Sequence, residues 1–300
     1  MKIILSLISF LLFISCNTSP SIESKTNDVS TYGELDNPTL TAKLENNNSI
    51  SIYRNNAEDP ILIQNASMDH RPYIHPIVSP DGKGILTEYS PGHHKHQTGL
   101  YWGFTRINGT GADEETLKEW FYKKDKTEEI KTQIGRDFFH HPTKDMYGDS
   151  TQYWIREDLR LIKSNGEEVI WETVYNMLDE KGSTIMVETQ KWTMSVLEDK
   201  YILDLEWIGD AETDVTIGKF EYGGLFLRMP WFKGIKGEVV NAARNKNTAG
   251  EGKRAPWVDV GMEIKGMDKW GHIAIFDHPT NGEFPQPWRI DGNMGVGPSR

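Results

Sequence analysis

Apolar and polar residues alternate with a period of two along most of the chain after residue 38, and this confines it to antiparallel β structure. Residues 49–54, 168–177, 184–195, 201–208 and 272–276 each interleave β-branched and aromatic side chains with polar ones, the pattern of strands with one buried face. Between such runs stand turn sequences: "SPDGKG" at 79–84, "KSNGEE" at 163–168, "DEKGS" at 179–183 and "LEDK" at 197–200. One short helix is predicted over 113–121, with Asp113 as its cap and Leu117, Trp120 and Phe121 on one face. Strands joined by short turns, with no strand–helix alternation, predict an all-β antiparallel sandwich formed by a single domain over residues 39–300. The Gly-, Asn-, Lys- and Arg-rich stretch 234–256 reads as a long surface loop.

The residues before this domain have a different character. Lys2 is followed by an apolar run over 3–14, then Ser15 and the only cysteine in the chain, Cys16. A run of about a dozen apolar residues falls short of the roughly 20 that span a bilayer, so 1–15 reads as a cleaved signal peptide. A small residue before cysteine fits a lipobox, with Phe13 where leucine usually stands, and makes Cys16 the expected site of lipidation. Residues 16–38 are rich in Ser, Thr and Asn and poor in apolar side chains, the composition of a flexible tether. With one cysteine the domain has no internal disulfide, and its core alone must hold it.

Thirty-three basic residues against 44 acidic ones give a net charge of −11, which opposes binding to nucleic acid. The expected membrane attachment is therefore through lipid at Cys16. Ten tryptophans and eleven tyrosines suit both the filling of a sandwich core and the stacking of sugar rings.

Five of the nine histidines lie within 69–104, "DHRPYIHPIVSPDGKGILTEYSPGHHKHQTGLYWGF". In extended chain His94 and His96 share a face and can present two imidazoles to a ligand or a metal. A transition metal at His94 and His96 would need further ligands, from His75, His278, Glu88 or Glu221. Acid–base chemistry needs none, because an imidazole titrates near neutrality. Glu221 stands beside Gly223 and Gly224, where a bulge would bring it to Arg228 and let the pair hold a polar sugar. Trp257 with Asp259, and His278 with Asn281 and Trp288, offer stacking faces next to hydrogen-bonding groups.

The stretch "RPYIHPIVSPDGKGILTEYSPGHHKHQTGLYWG", together with "FEYGGLFLRMPW" at 220–231, "APWVDV" at 255–260 and "IAIFDHPTNGEFPQPWRI" at 273–290, resembles a bacterial family of unknown function often labelled methane oxygenase PmoA. The resemblance extends over most of the chain beyond the leader. His94, His96, Gly99 and Leu100 match the family's H-x-H-H-x-G-L run, and Gln97 replaces its last histidine. The resemblance implies an exported protein with a carbohydrate-related role and a chain continuing past Arg300. It does not imply methane oxidation, because the membrane subunit of methane monooxygenase is built from transmembrane helices, which this sequence lacks after its leader.

No G-x-S-x-G elbow, phosphate-binding glycine loop, dinucleotide fingerprint or H-E-x-x-H motif occurs. The expectation is an exported lipoprotein acting on carbohydrate as a hydrolase, lyase or epimerase. Its catalytic residues would be His94, His96, Glu221 and His278, and its substrate-binding residues His75, Arg228, Trp257, Asp259, Asn281 and Trp288. A non-catalytic carbohydrate-binding lipoprotein is the alternative, and a metal-binding protein using His94 and His96 a further one. A galactose-mutarotase-like supersandwich is the expected architecture, by fold-level analogy.

Overall fold

The computed structural model describes residues 39–299 apart from His93, Ala112, residues 122–125 and Glu198, together with the backbone of Ile3–Leu5. The expected signal peptide, the lipidated Cys16 and the tether to residue 38 otherwise lie outside the described residues.

In chain order the strands are Ile3–Leu5 (β1), Leu40–Glu45 (β2), Ser49–Arg54 (β3), Leu62–Asn65 (β4), Tyr73–Ile77 (β5), Leu100–Phe104 (β6), Trp154–Lys163 (β7), Asn165–Gly166 (β8) and Glu168–Leu178 (β9), followed by Thr184–Leu197 (β10), Lys200–Ala211 (β11), Gly223–Leu227 (β12), Gly237–Asn241 (β13), Trp257–Met262 (β14), Gly271–Phe276 (β15), Trp288–Ile290 (β16) and Val296–Pro298 (β17). They form a nine-stranded sheet ordered β16-β17-β12-β6-β5-β4-β3-β2-β8, a five-stranded sheet ordered β1-β11-β10-β9-β7, and a three-stranded sheet β13-β14-β15. Neighbouring strands run antiparallel, as in the β9–β10–β11 meander and the β12–β6 pair. The fold is an all-β sandwich.

Its core lies between the two larger sheets. On β9 alternate residues Val169, Trp171, Thr173, Tyr175 and Met177 are buried, and the alternation breaks only at the end of the strand, where Leu178 is buried as well. Trp102 of β6 stacks on Trp207 of β11 with ring centroids 5.2 Å apart, and Trp171 Nε1 donates to Gln64 Oε1 across the sandwich at 3.1 Å. Such indoles bury large apolar area but need a partner for their N–H. Trp192 donates to Gln190 Oε1 at 3.2 Å, and Trp207 to Glu188 Oε2 at 2.8 Å. The core therefore carries a polar file made of glutamine and one carboxylate.

Two elements differ from expectation. A helix covers Glu114–Phe121 (α1), with Asp113 Oδ1 accepting from Thr116 N at 2.9 Å, but a second follows at Glu128–Ile134 (α2), capped by Thr127 and anchored by buried Ile134. At seven residues α2 is too short for a clear helical period to show in sequence. The stretch 234–256 is not simply a loop, since it contains β13 and a 3-10 turn at Asn247–Gly250. Among the described residues no helix is long and apolar enough to cross a membrane.

Strand β6 is buried on both faces. Leu100, Trp102 and Phe104 enter the sandwich core, while Tyr101 belongs to a separate cluster with Phe139 and Phe226. The chain at 136–149 therefore covers the outer face of the large sheet. That cover creates the candidate site.

Candidate functional site

Across the outer face of the large sheet, Tyr73, Tyr101 and Phe226 lie opposite one another in register on β5, β6 and β12. Phe139 packs on this row, its ring 5.3 Å from both Tyr101 and Phe226 and 5.6 Å from Tyr222. The approach is close because Gly103 has no side chain: a Cβ there would sit 2.8 Å from Phe138 O and 2.9 Å from Phe139 Cα. Beneath the row lies Arg71, fully buried, with its guanidinium 3.6 Å from the Tyr101 ring centre. It donates to the carbonyls of Phe138 and Phe139, to His96 O at 2.7 Å and to Thr98 Oγ1 at 3.1 Å. One side chain thus ties together the two segments that carry histidines. Burial lowers the Arg71 pKa to about 10, so it remains a cation at neutral pH.

Two proton-handling pairs are mounted on this base. Asp137 Oδ1 accepts from the backbone N–H groups of Phe139 and His140 at 3.1 and 2.9 Å, and its Oδ2 lies 2.9 Å from His140 Nδ1. Burial pushes the Asp137 carboxyl up, but the neighbouring His140 and these hydrogen bonds outweigh it and hold the carboxyl below its usual range. An ionised carboxylate at Nδ1 fixes the ring's orientation and leaves proton exchange to Nε2. The second pair is His96 Nδ1 with the Tyr147 hydroxyl, 2.7 Å apart. His96 is buried, its ring centroid 4.5 Å from that of His140 and 5.9 Å from that of His94. Burial, reinforced by His140 and Arg71, holds His96 well below the ordinary histidine pKa, so it is neutral at physiological pH.

A groove of 1540 Å³ opens over these groups, and His94, His96, His140, His141, Tyr147 and Tyr222 are among its lining. His141 stacks on Tyr153 at 4.6 Å, and the Tyr153 hydroxyl donates to Asp149 Oδ2 at 2.6 Å. Aromatic faces, imidazoles and carboxylates so arranged can hold a polyhydroxylated ring and move protons on it.

Of the residues expected from sequence, the groove brings together His94 and His96. The others stand elsewhere. His75 hydrogen-bonds Thr87 Oγ1 at 3.0 Å on β5, and burial lowers its pKa. Glu221 and Arg228 do not pair with each other: Glu221 is bridged to Lys118 and lies 3.8 Å from Arg289, whereas buried Arg228 reaches Glu88 at 3.5 Å and Asn293 O at 3.0 Å. Trp288 is fully buried, with Nε1 donating to Ala255 O at 2.6 Å, and so presents no stacking face. Asn281 is buried against Asp277, and His278 bonds Thr280 at 2.7 Å in the same loop. Trp257 and Asp259 share the outer face of the three-stranded sheet with His272, which lies 2.9 Å from Asp259.

Sequence reasoning missed His140, His141, Asp137 and Tyr147. The adjacent histidines of "RDFFHHPTKD" were a signal, and so was an aspartate three residues before the first, at the spacing of a side-chain-capped turn. Among the described residues no group of three or more His, Cys, Asp or Glu side chains is placed to hold a metal ion.

No curated protein and no solved structure matches the chain. A family model matches residues 63–300, which takes in the row of aromatics, Arg71 and every lining residue of the groove named above. The chain belongs to the DUF6807 family, a family of unknown function.

Proposed function

We propose that the chain is an exported lipoprotein whose groove performs acid–base chemistry on carbohydrate. The observation that carries this reading is the Asp137–His140 pair set ring to ring against the His96–Tyr147 pair, at the wall of a groove large enough for sugar units. General acid–base catalysis needs one group that takes a proton and one that gives it. His140, oriented through Nδ1 by Asp137, suits the first role. Tyr147, with neutral His96 behind its hydroxyl, suits the second. Hydrolysis, elimination and epimerisation all use such a couple. The apolar leader ending at Cys16 supports action outside the cytoplasm, with lipid on that cysteine as the anchor.

The test is product release from a panel of polysaccharides and oligosaccharides by the mature chain. His96→Ala and His140→Ala should each abolish turnover, while His272→Ala, on the three-stranded sheet, should leave it intact. Turnover that survives both groove substitutions would sink the assignment.

A second reading, a non-catalytic carbohydrate-binding lipoprotein, is favoured by one observation. Trp257 and Phe276 pair across β14 and β15 with Phe276 half exposed, next to Asp259 and His272. It requires saturable glycan binding without product, weakened by Trp257→Ala and indifferent to His96→Ala.

A further inference from the structure

We propose that the groove selects glycans bearing no anionic groups, an inference that rests on the acid–base reading of the same site. Recognition of a uronate or a sulfate requires a cation with bonding capacity to spare, because a charged group moved out of water without a partner is strongly disfavoured. The groove lining contains four cations, Lys126, Lys131, Arg136 and Arg289. Each is already engaged by the protein.

Arg136 is 4% exposed, too buried for a ligand to reach, and gives Nε to Leu178 O at 3.0 Å, Nη1 to Thr151 Oγ1 at 2.7 Å and Nη2 to Gln152 O at 2.5 Å. Arg289 gives Nη1 to Glu251 Oε1 at 2.5 Å and Nη2 to the Tyr222 hydroxyl at 3.2 Å. Its Nε is buried, beyond the reach of a ligand. Lys131 lies 2.8 Å from Glu128, and Lys126 also has a partner within the protein. The arginines act as struts of the groove wall.

Against these cations stand six acidic residues of the lining, Glu128, Asp137, Asp149, Asp179, Glu180 and Asp291. Glu128 is widely exposed at the rim, and Glu180 is exposed as well. The groove therefore presents a net negative field on a chain that is itself at −11, and an approaching polyanion is repelled at long range and meets on arrival only cations already paired within the protein. The imidazole of His96 supplies no positive charge at neutral pH either. An uncharged sugar meets a different surface. Its hydroxyls can donate to partly exposed Asp149, and its apolar ring face can stack on Tyr147, which is 58% exposed.

The experiment uses the mature chain and its His96→Ala variant. Neutral polysaccharides (glucan, mannan, xylan, galactan) are compared with polygalacturonate, alginate and a sulfated galactan, reading product release and retardation in affinity gels at low and high salt. The expected result is His96-dependent turnover of at least one neutral glycan, exceeding that of every anionic one by about tenfold or more, with no gain for the anionic ones at low salt. Comparable His96-dependent turnover of a uronate or sulfated glycan would overturn the selectivity while leaving the acid–base reading standing. No His96-dependent turnover of any glycan would overturn that reading, and this inference with it.

Discussion

Tyr147 shows how much of a site can rest on one uncommon residue conformation. Its φ of 55° and ψ of 25° place an aromatic residue in the left-handed region, next to Asp145 at φ 64° and Gly148 at φ 84°. Holding a bulky side chain there costs on the order of 1–3 kcal/mol, so packing elsewhere must offset it. In return, the phenol crosses the groove mouth to reach His96 while more than half of the side chain stays exposed. If the hydroxyl transfers the proton, Tyr147→Phe should cut kcat by about 10²-fold or more with little change in KM and no loss of fold. An unchanged kcat would reduce Tyr147 to a stacking surface. Asp137→Asn keeps an oxygen for the two backbone donors but removes the charge at His140 Nδ1. Turnover should then fall, because nothing holds the ring's orientation, while circular dichroism remains that of the parent. Legibility at this scale was partial. The H-x-H of His94 and His96 marked one wall of the groove. The facing wall, His140 and Tyr147, was hidden because its role depends on a segment more than 40 residues away laid across the sheet, a contact that no local spacing encodes. Glu221, Arg228 and Trp288 misled for the complementary reason: charged and aromatic types suited to ligands are equally suited to buried struts and core.

At the scale of elements the alternation of the long strands was a reliable guide, since a strand with one buried face has no other way to satisfy both sides. The runs read at 168–177, 184–195 and 201–208 became β9, β10 and β11 with ends displaced by at most three residues. What the period could not show was a strand covered on both faces. β6 reads as "LYWGF", apolar throughout apart from its glycine, and its second face is covered only because the chain at 138–139 lies against Gly103. That contact joins fold to site and makes Gly103→Ala informative. The new methyl would meet backbone atoms of Phe138 and Phe139 inside 3 Å, and backbone cannot rotate away as a side chain can. Overpacking of this kind costs typically about 1–3 kcal/mol. The variant should melt earlier than the parent. It should also lose groove activity to a greater extent than its stability at assay temperature explains, because His140 is carried on the displaced segment. If it melted earlier but kept full activity, the Phe138–Phe139 cover would be separable from the catalytic geometry.

At the scale of the whole molecule, the buried titratable groups set opposing pH dependences whose balance can be worked out. Burial holds His70 at about 4 and lowers His75, His96 and His141 from an ordinary 6.5. In the unfolded chain these four bind protons near pH 6.5, whereas in the folded chain they resist until lower pH. The unfolded state therefore binds more protons below about pH 6.5, and stability falls as the medium is acidified. Glu188 acts in the opposite sense. Fully buried and bonded to Trp207 and Gln190 at 2.8 Å each, it has its carboxyl raised by desolvation to about 7 from 4.5. Its folded form holds a proton that its unfolded form has released, so its contribution is present below pH 4.5 and is lost as pH rises to about 7. Four histidines against this carboxyl make net acid destabilisation the expected outcome for the intact domain, measured as a fall in urea midpoint from about pH 7 to about pH 5. Glu188→Gln removes the opposing contribution. The glutamine also forfeits one acceptor, which shifts the variant's stability by the same amount at every pH and leaves the slope as the diagnostic. Relative to the parent, the variant should gain on the order of 3 kcal/mol as pH rises from about 4.5 to above 7, and its acid limb should be correspondingly steeper. Parallel stability curves for the two proteins would mean that Glu188 is ionised in the core at neutral pH, with Arg71 supplying the compensating charge through the sheet.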